Sequence, residues 1–311
     1  MYHGIMNIYK EAGFTSHDVV AKLRGICKQK KIGHTGTLDP DAVGVLPVCL
    51  GSGTKLCDML TGETKEYIAR FRLGITTDTQ DISGKILEEK EVDVCEEQVN
   101  EILSRFVGEL QQVPPMYSAL KVGGRKLYEL AREGKEVERK ARPITIYELE
   151  LLKEEHPEYE IRVTCSKGTY IRTLCHDIGQ ALSCGAVMTG LVRSRVGEFR
   201  VQDAKPLSAL QELADQGRLQ EAVIPVEEMF YALPAIQVSD RAQKALLNGN
   251  QLKRSEVLMK EEAGNAEKIP GEFPADQGEY RVYSSDGRFC AIYRYESVRK
   301  LFTPVKMFLE G

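Results

Sequence analysis

Two hydrophobic periods alternate along this chain and limit what it can fold into. Tyr67, Ala69, Phe71 and Leu73 recur at every second position, with Ile68, Arg70 and Arg72 between them, and Tyr159, Ile161, Val163 and Cys165 repeat the pattern. A period of two lays one face of an extended strand against a core. After Gly168 the period changes, and Ile171, Leu174, Ile178 and Leu182 are spaced as the apolar stripe of a helix. The chain is therefore predicted to mix half-buried strands with amphipathic helices. Tyr170 and Arg172 fall at a strand-to-helix junction, where side chains can face a cleft.

Local signals fill in the rest. Thr15 and Asp18 stand at capping-box spacing before Val19, Val20, Leu23 and Ile26, which predicts a helix from Ser16 to residues 25–28. Asp93 and Glu96 are predicted to cap a helix carrying Val99, Ile102, Leu103 and Phe106, and Ser208 one carrying Leu210 and Leu213. Pro225 and Pro234 mark a boundary, beyond which Ser239 begins a helix through Leu247 that stops at Gly249. Tyr280 to Tyr283 and Phe289 to Tyr295 flank Asp286-Gly287, a hairpin signal. A length of 311 residues accommodates two domains. They are expected at 1–230, with an excursion at about 121–142, and at 235–311.

The chemistry concentrates in residues 33–49. Pro40 pushes Asp39 out of the α region, and Gly33 and Gly36 open backbone conformations closed to other residues, so a carboxylate is presented from a stiff loop before an apolar run. An isolated Asp-Pro step more often begins a surface turn. The surrounding residues decide otherwise.

Gly33-His34-Thr35-Gly36-Thr37-Leu38-Asp39-Pro40 holds in full the pattern G-H-T-G-x-L-D-P, and in this it resembles the catalytic segment of the TruB-type tRNA pseudouridine synthases. Three further segments are similar to that family's motifs in the same order. They are Lys10 to Ser16, Lys65-Glu66-Tyr67, and Lys167-Gly168-Thr169-Tyr170-Ile171-Arg172. Met116 to Lys121 resembles the segment entering the family's RNA-clasping insertion. Glu11 departs from the proline many relatives carry. The resemblance implies an α+β fold: a catalytic domain around a mixed, largely antiparallel sheet with that insertion, and a small C-terminal PUA-like RNA-binding domain.

It also implies an activity, the isomerisation of uridine to pseudouridine at position 55 in the tRNA T-loop. Asp39 is then the catalytic carboxylate, acting at C1′ as nucleophile or at C2′ as base; Arg172 is the cation that favours its ionised form; Tyr67 stacks on the flipped uracil and stands near the C5 proton. His34 helps hold the RNA loop open, Tyr170 packs against the base or Tyr67, and Lys10 supports the site. The reaction needs no cofactor or metal, and the sequence carries no Walker, HExxH or Cys-x-x-Cys motif. The expected partner is the T-arm of tRNA, met by a monomer with no obligate protein partner.

Charge distribution agrees with an RNA partner better than net charge does. The chain carries -4 overall, yet Lys121 to Arg142 holds eight positive residues against four glutamates. Among them, Lys121, Arg125, Lys126 and Arg132 are expected to meet tRNA phosphates. Charged runs are more often solvated faces, and the placement of this one beside a family RNA segment favours the binding role. A second basic cluster comprises Lys22, Arg24, Lys28, Lys30 and Lys31. A mean hydropathy of -0.30, with no long apolar run or leader-like segment, gives the expectation of a cytoplasmic protein away from membranes. Asp39-Pro40-Asp41 formally matches the Asp-x-Asp of aspartyl-phosphate phosphatases, but that motif ends a buried apolar strand and residues 31–37 are polar and glycine-rich. Two further readings of the RNA-facing segments are a tRNA chaperone without catalysis and a guide-RNA-dependent synthase of the same family.

Overall fold

The computed structural model describes residues 1–260 and 278–309. Residues 261–277 and 310–311 of the expected C-terminal domain lie outside the described residues.

A large sheet organises the first part of the chain. Its strands run in the order Gly4–Lys10, Val43–Leu50, Ala186–Val196, Lys65–Leu73, Glu158–Cys165, Arg142–Glu155 and Gly108–Gln112. Neighbours pair antiparallel, except where Val192 meets Val43 and Arg193 meets Gly44 in a short parallel stretch. The sheet is thus mixed and largely antiparallel, as expected. Gly44 makes the parallel approach possible, because its φ is +107° and a Cβ there would lie 2.2 Å from the Arg193 carbonyl oxygen.

The two-residue period appears as read: Tyr67, Ala69, Phe71 and Leu73 turn inward together. They join Tyr159, Ile161 and Val163 of the paired strand in a core closed by the helices Glu96–Arg105 and Ile171–Ala181. A second core packs Met6, Ile8, Leu46 and Val48 against the helices Ser16–Cys27 and Leu207–Asp215. Beyond Pro234 a smaller mixed sheet with its own core begins with Ala235–Val238 and includes the hairpin of Glu279–Tyr283 and Phe289–Glu296. The opposite faces of the first two strands, at Ile5, Val45 and Cys49, meet Val226, Phe230, Ile292 and Phe308 in an apolar cluster shared between the sheets. Among the described residues no helix is long and apolar enough to cross a membrane.

The Thr15 capping box forms: Asp18 N donates to Thr15 Oγ1 at 3.1 Å, and Thr15 N donates to Asp18 Oδ2 at 2.8 Å. Two other predicted caps are displaced. Cys95, not Asp93, precedes the helix at Glu96–Arg105, and its N–H donates to Gln98 Oε1 at 2.9 Å. Pro206 precedes the helix at Leu207–Asp215, which leaves Ser208 inside the first turn. Proline fixes the φ of the residue at that boundary, and a hydroxyl two positions on is not needed to begin the helix.

The excursion at 121–142 forms a short hairpin of Lys121–Val122 and Arg125–Lys126, then the helix Leu127–Arg132. Leu127 and Leu130 give it a small buried face.

Candidate active site

The loop carrying Asp39 is pinned from several sides. Leu38 N donates to the buried Ser16 hydroxyl at 3.0 Å, tying the loop to the first helix. Lys10 is fully buried, and its ammonium donates to the carbonyls of Ala42 at 2.6 Å, Pro40 at 2.9 Å and Glu11 at 3.1 Å. Burial pushes its pKa down to about 8, against the pull of Asp41 and Asp39. Lys10 thus supports the loop through backbone atoms.

Arg172 is the second residue of its helix, which follows a turn in which Gly168 adopts φ +82°. Its Nε lies 3.0 Å from Asp39 Oδ2, and Nη2 donates to Oδ1 at 3.4 Å. The same guanidinium meets Asp81 Oδ2 at 3.3 Å, Thr79 O at 3.1 Å and Tyr117 O at 2.8 Å. Burial pushes the Asp39 carboxyl above the ordinary carboxylate range, Arg172 and Lys10 pull it back, and Asp81 adds to the rise. The sequence placed arginine beside Asp39 to favour the anion, and the arginine is there. Desolvation along the cavity wall outweighs it.

Tyr67 stands on the strand beside them with 9% of its surface exposed. Burial raises its hydroxyl, and the positive charge of the buried Arg193 opposes the rise. Asp39, Tyr67, Tyr170, Arg172, Leu191 and Arg193 line one cavity of about 680 Å³. That volume is large enough for a nucleoside-sized ligand. Tyr170 is fixed by its backbone: its N–H donates to Gln112 Oε1 at 2.8 Å and its carbonyl accepts from Gln112 Nε2 at 3.1 Å.

The first family description that matches, TruB family pseudouridylate synthase (N terminal domain), covers residues 24–171, and a second, tRNA pseudouridylate synthase B C-terminal domain, covers residues 172–231. A protein of Lachnoclostridium phytofermentans named tRNA pseudouridine synthase B is 48% identical over 315 residues, 99% of this chain and 100% of its own. The chain belongs to the TruB family of pseudouridylate synthases. Proteins of the same name from Clostridium kluyveri, 43% identical over 98% of this chain and 99% of their own, and from Bacillus pumilus, 38% over 99% and 98%, agree. Among solved structures, a Cbf5-Nop10-Gar1 complex has a chain of TM-score 0.69 and 28% identity, covering 99% of this chain and 85% of its own. An H/ACA RNP bound to a substrate RNA containing 2'-deoxyuridine has one of TM-score 0.68 and 27% identity, with the same coverage.

In this TruB-family chain the expected site residues divide into two groups. Asp39, Tyr67, Tyr170 and Arg172 meet at the cavity. His34 does not line it: its Nδ1 accepts from Gly36 N at 3.3 Å, and its ring packs edge-on against His17 with centroids 5.2 Å apart. Lys121, Arg125, Lys126 and Arg132 also stand away from the cavity wall, although Ser118, Ala119 and Leu120 just before them line it. Arg125 is ion-paired with Glu133. Lys126 and Arg132 each lie 5.3 Å from the centre of the Tyr128 ring. Part of the local positive excess is thus neutralised within the insertion.

Sequence reasoning missed Arg193, Asp81 and Gln112. Arg193 sits in Val192-Arg193-Ser194-Arg195-Val196, where alternate arginines read as a solvent face, yet its side chain is among the largest fully buried ones. Asp81 ends the polar run Thr77-Asp78-Thr79-Gln80-Asp81, which looks like any turn. For Arg193 the usable signal was a charge in a segment bounded at both ends by β-branched apolar residues.

Proposed function

We propose that this protein isomerises uridine to pseudouridine in tRNA, at position 55 of the T-loop, as a stand-alone monomer acting in the cytoplasm without a guide RNA. The observation that carries the reading is the convergence of Asp39, Arg172 and Tyr67 on one cavity wall. The target uridine leaves its stack, at a cost of a few kcal/mol offset by contacts in the cavity, and Tyr67 stacks on the base. Asp39 serves either as nucleophile at C1′ or as base at C2′, giving a glycal-like intermediate; both routes need it ionised. The Arg172 fork supplies the opposing charge and fixes both carboxylate oxygens. The base detaches from C1′ through N1, turns, and rejoins through C5, so no acceptor or electron carrier takes part.

In this reading residues 1–230 form the catalytic unit, and residues 235–311 a PUA-like RNA-binding unit. The insertion, with Lys121, Arg125, Lys126 and Arg132, clasps the T-arm backbone. His34 holds the RNA loop open from outside the cavity. The test is tritium release from C5-labelled uridine in a tRNA transcript with no added guide RNA. One tritium per tRNA is expected from the wild type and none from Asp39→Asn, with tRNA affinity of the variant within roughly tenfold. A wild-type protein that binds this tRNA and releases nothing is the chaperone instead.

A further inference from the structure

Arg193 is a buried cation without a carboxylate partner among the described residues. It is 1% exposed. Its Nε donates to Val45 O at 2.7 Å and Nη2 to Gly36 O at 3.4 Å, both on the segment that carries Asp39. Its backbone is paired on one side with Gly44 and on the other with Tyr67, so Arg193 and Tyr67 are direct cross-strand neighbours with side chains on one face. Its positive charge is also the main influence opposing the rise that burial gives the Tyr67 hydroxyl. A charge held out of water against carbonyl dipoles alone is costly, and it attracts whatever negative charge forms next to it. The acidic group paired directly across the strands from it is Tyr67.

We infer that Arg193 is a positioning residue for the last step of the isomerisation, holding the Tyr67 oxygen as the acceptor of the C5 proton. The inference rests on the pseudouridine synthase reading above. Once C5 carries both its hydrogen and the ribose carbon, the Tyr67 hydroxyl gives its own proton to solvent, and the phenolate formed beside the guanidinium is the acceptor. The C5–H electron pair forms the C5=C6 bond, the C6=N1 pair moves to N1, which takes a proton from water, and the C5 proton passes to the tyrosine oxygen and then to solvent. The arginine also ties this acceptor to the Asp39 loop through Gly36 and Val45. One side chain thus touches the loop that carries the carboxylate and lies across the strands from the proton acceptor.

The test compares Arg193→Gln in the wild-type and Tyr67→Phe backgrounds, by single-turnover tritium release with tRNA affinity and thermal stability measured alongside. Wild-type release in the same assay establishes the activity independently. If Arg193 acts through the tyrosine oxygen, Arg193→Gln lowers the rate by about tenfold or more in the wild type but changes it less than about threefold when the hydroxyl is already absent. Equal losses in both backgrounds would mean that Arg193 acts on the loop or on the RNA directly, and the inference fails; so does an undiminished rate in the wild-type background. Should the glutamine protein not fold, Arg193→Lys, which keeps the charge but loses the fork, is read by the same comparison.

Discussion

Arg172 grips both carboxylate oxygens of Asp39 through Nε and Nη2, while Nη1 is held by Asp81 and Thr79 and Nη2 is shared with the Tyr117 carbonyl. The guanidinium is therefore fixed on its far side and presents a rigid fork to the carboxylate. Asp39 keeps 43% of its side chain exposed toward the cavity, so it is steered without being covered.

Arg172→Lys should separate charge from geometry. A lysine brings one point charge and cannot span two oxygens, so turnover should fall by about a hundredfold with tRNA affinity nearly unchanged. Asp39 must be ionised to react, and Arg172 is what pulls its raised pKa back. Activity is lost as pH falls through that value, and loosening the fork lifts the value further, so the acid limb of the rate profile should move to higher pH. Profiles of tritium release for the two proteins decide this, and coincident limbs would remove Arg172 from the control of Asp39.

Gln112 is buried and clamps the Tyr170 backbone at both ends. Gln112→Leu leaves the half-buried Tyr170 N–H unpaired, while the carbonyl keeps its bond from Leu174 N, and this should cost about 1–3 kcal/mol in denaturant unfolding. Because Tyr170 precedes Arg172 by two residues, turnover should also drop, by about tenfold, at saturating tRNA. Diminished stability with full turnover would make Gln112 scaffold alone.

Asp177 lies between one and two turns beyond Arg172 on the same helix, and burial pushes its carboxyl from 3.8 up to about 6. The folded protein then holds a proton that the unfolded chain releases, so stability falls as pH rises from about 4 to about 6 and stays lower above that. Asp177→Asn should remove the dependence and gain about 1 kcal/mol at neutral pH, discounted for partial exposure. Melting curves of the two proteins across that range should converge at low pH. Parallel curves would show the group to be solvated.

Replacing Arg125, Lys126 and Arg132 with alanine should weaken tRNA binding and flatten the fall of log affinity with log salt by about 0.7–0.9 for each phosphate that is no longer neutralised. The partners of these side chains in the free protein are an exposed ion pair and a tyrosine ring, so little stability should go with them. Equal salt slopes for variant and wild type would leave the cluster as a solvated face.

What the sequence disclosed was set by distance along the chain. The Thr15 cap needs Asp18 only three residues away, and the Asp39 turn, the Tyr67 strand and the Arg172 junction each lie within one short segment. Arg193 meets carbonyls 148 and 157 residues away, and Gln112 reaches across 58 residues to Tyr170. No local pattern encodes such contacts. The Cys95 cap was hidden for another reason: a thiol is a weak hydrogen-bonding group, and residue preferences at helix starts favour the nearby aspartate.

The apolar cluster between the two sheets ties the fate of the tail to that of the reactive loop. Val45 follows the Asp39 loop by a few residues, and it shares its neighbourhood with Ile292 and Phe308 from the far end of the chain. A protein cut after residue 231 would lose Ile292 and Phe308 from the cluster in which Ile5, Val45 and Cys49 pack on the strands that anchor the loop. Calorimetry on the intact chain should therefore show one endotherm spanning both sheets, because melting either exposes the other's support.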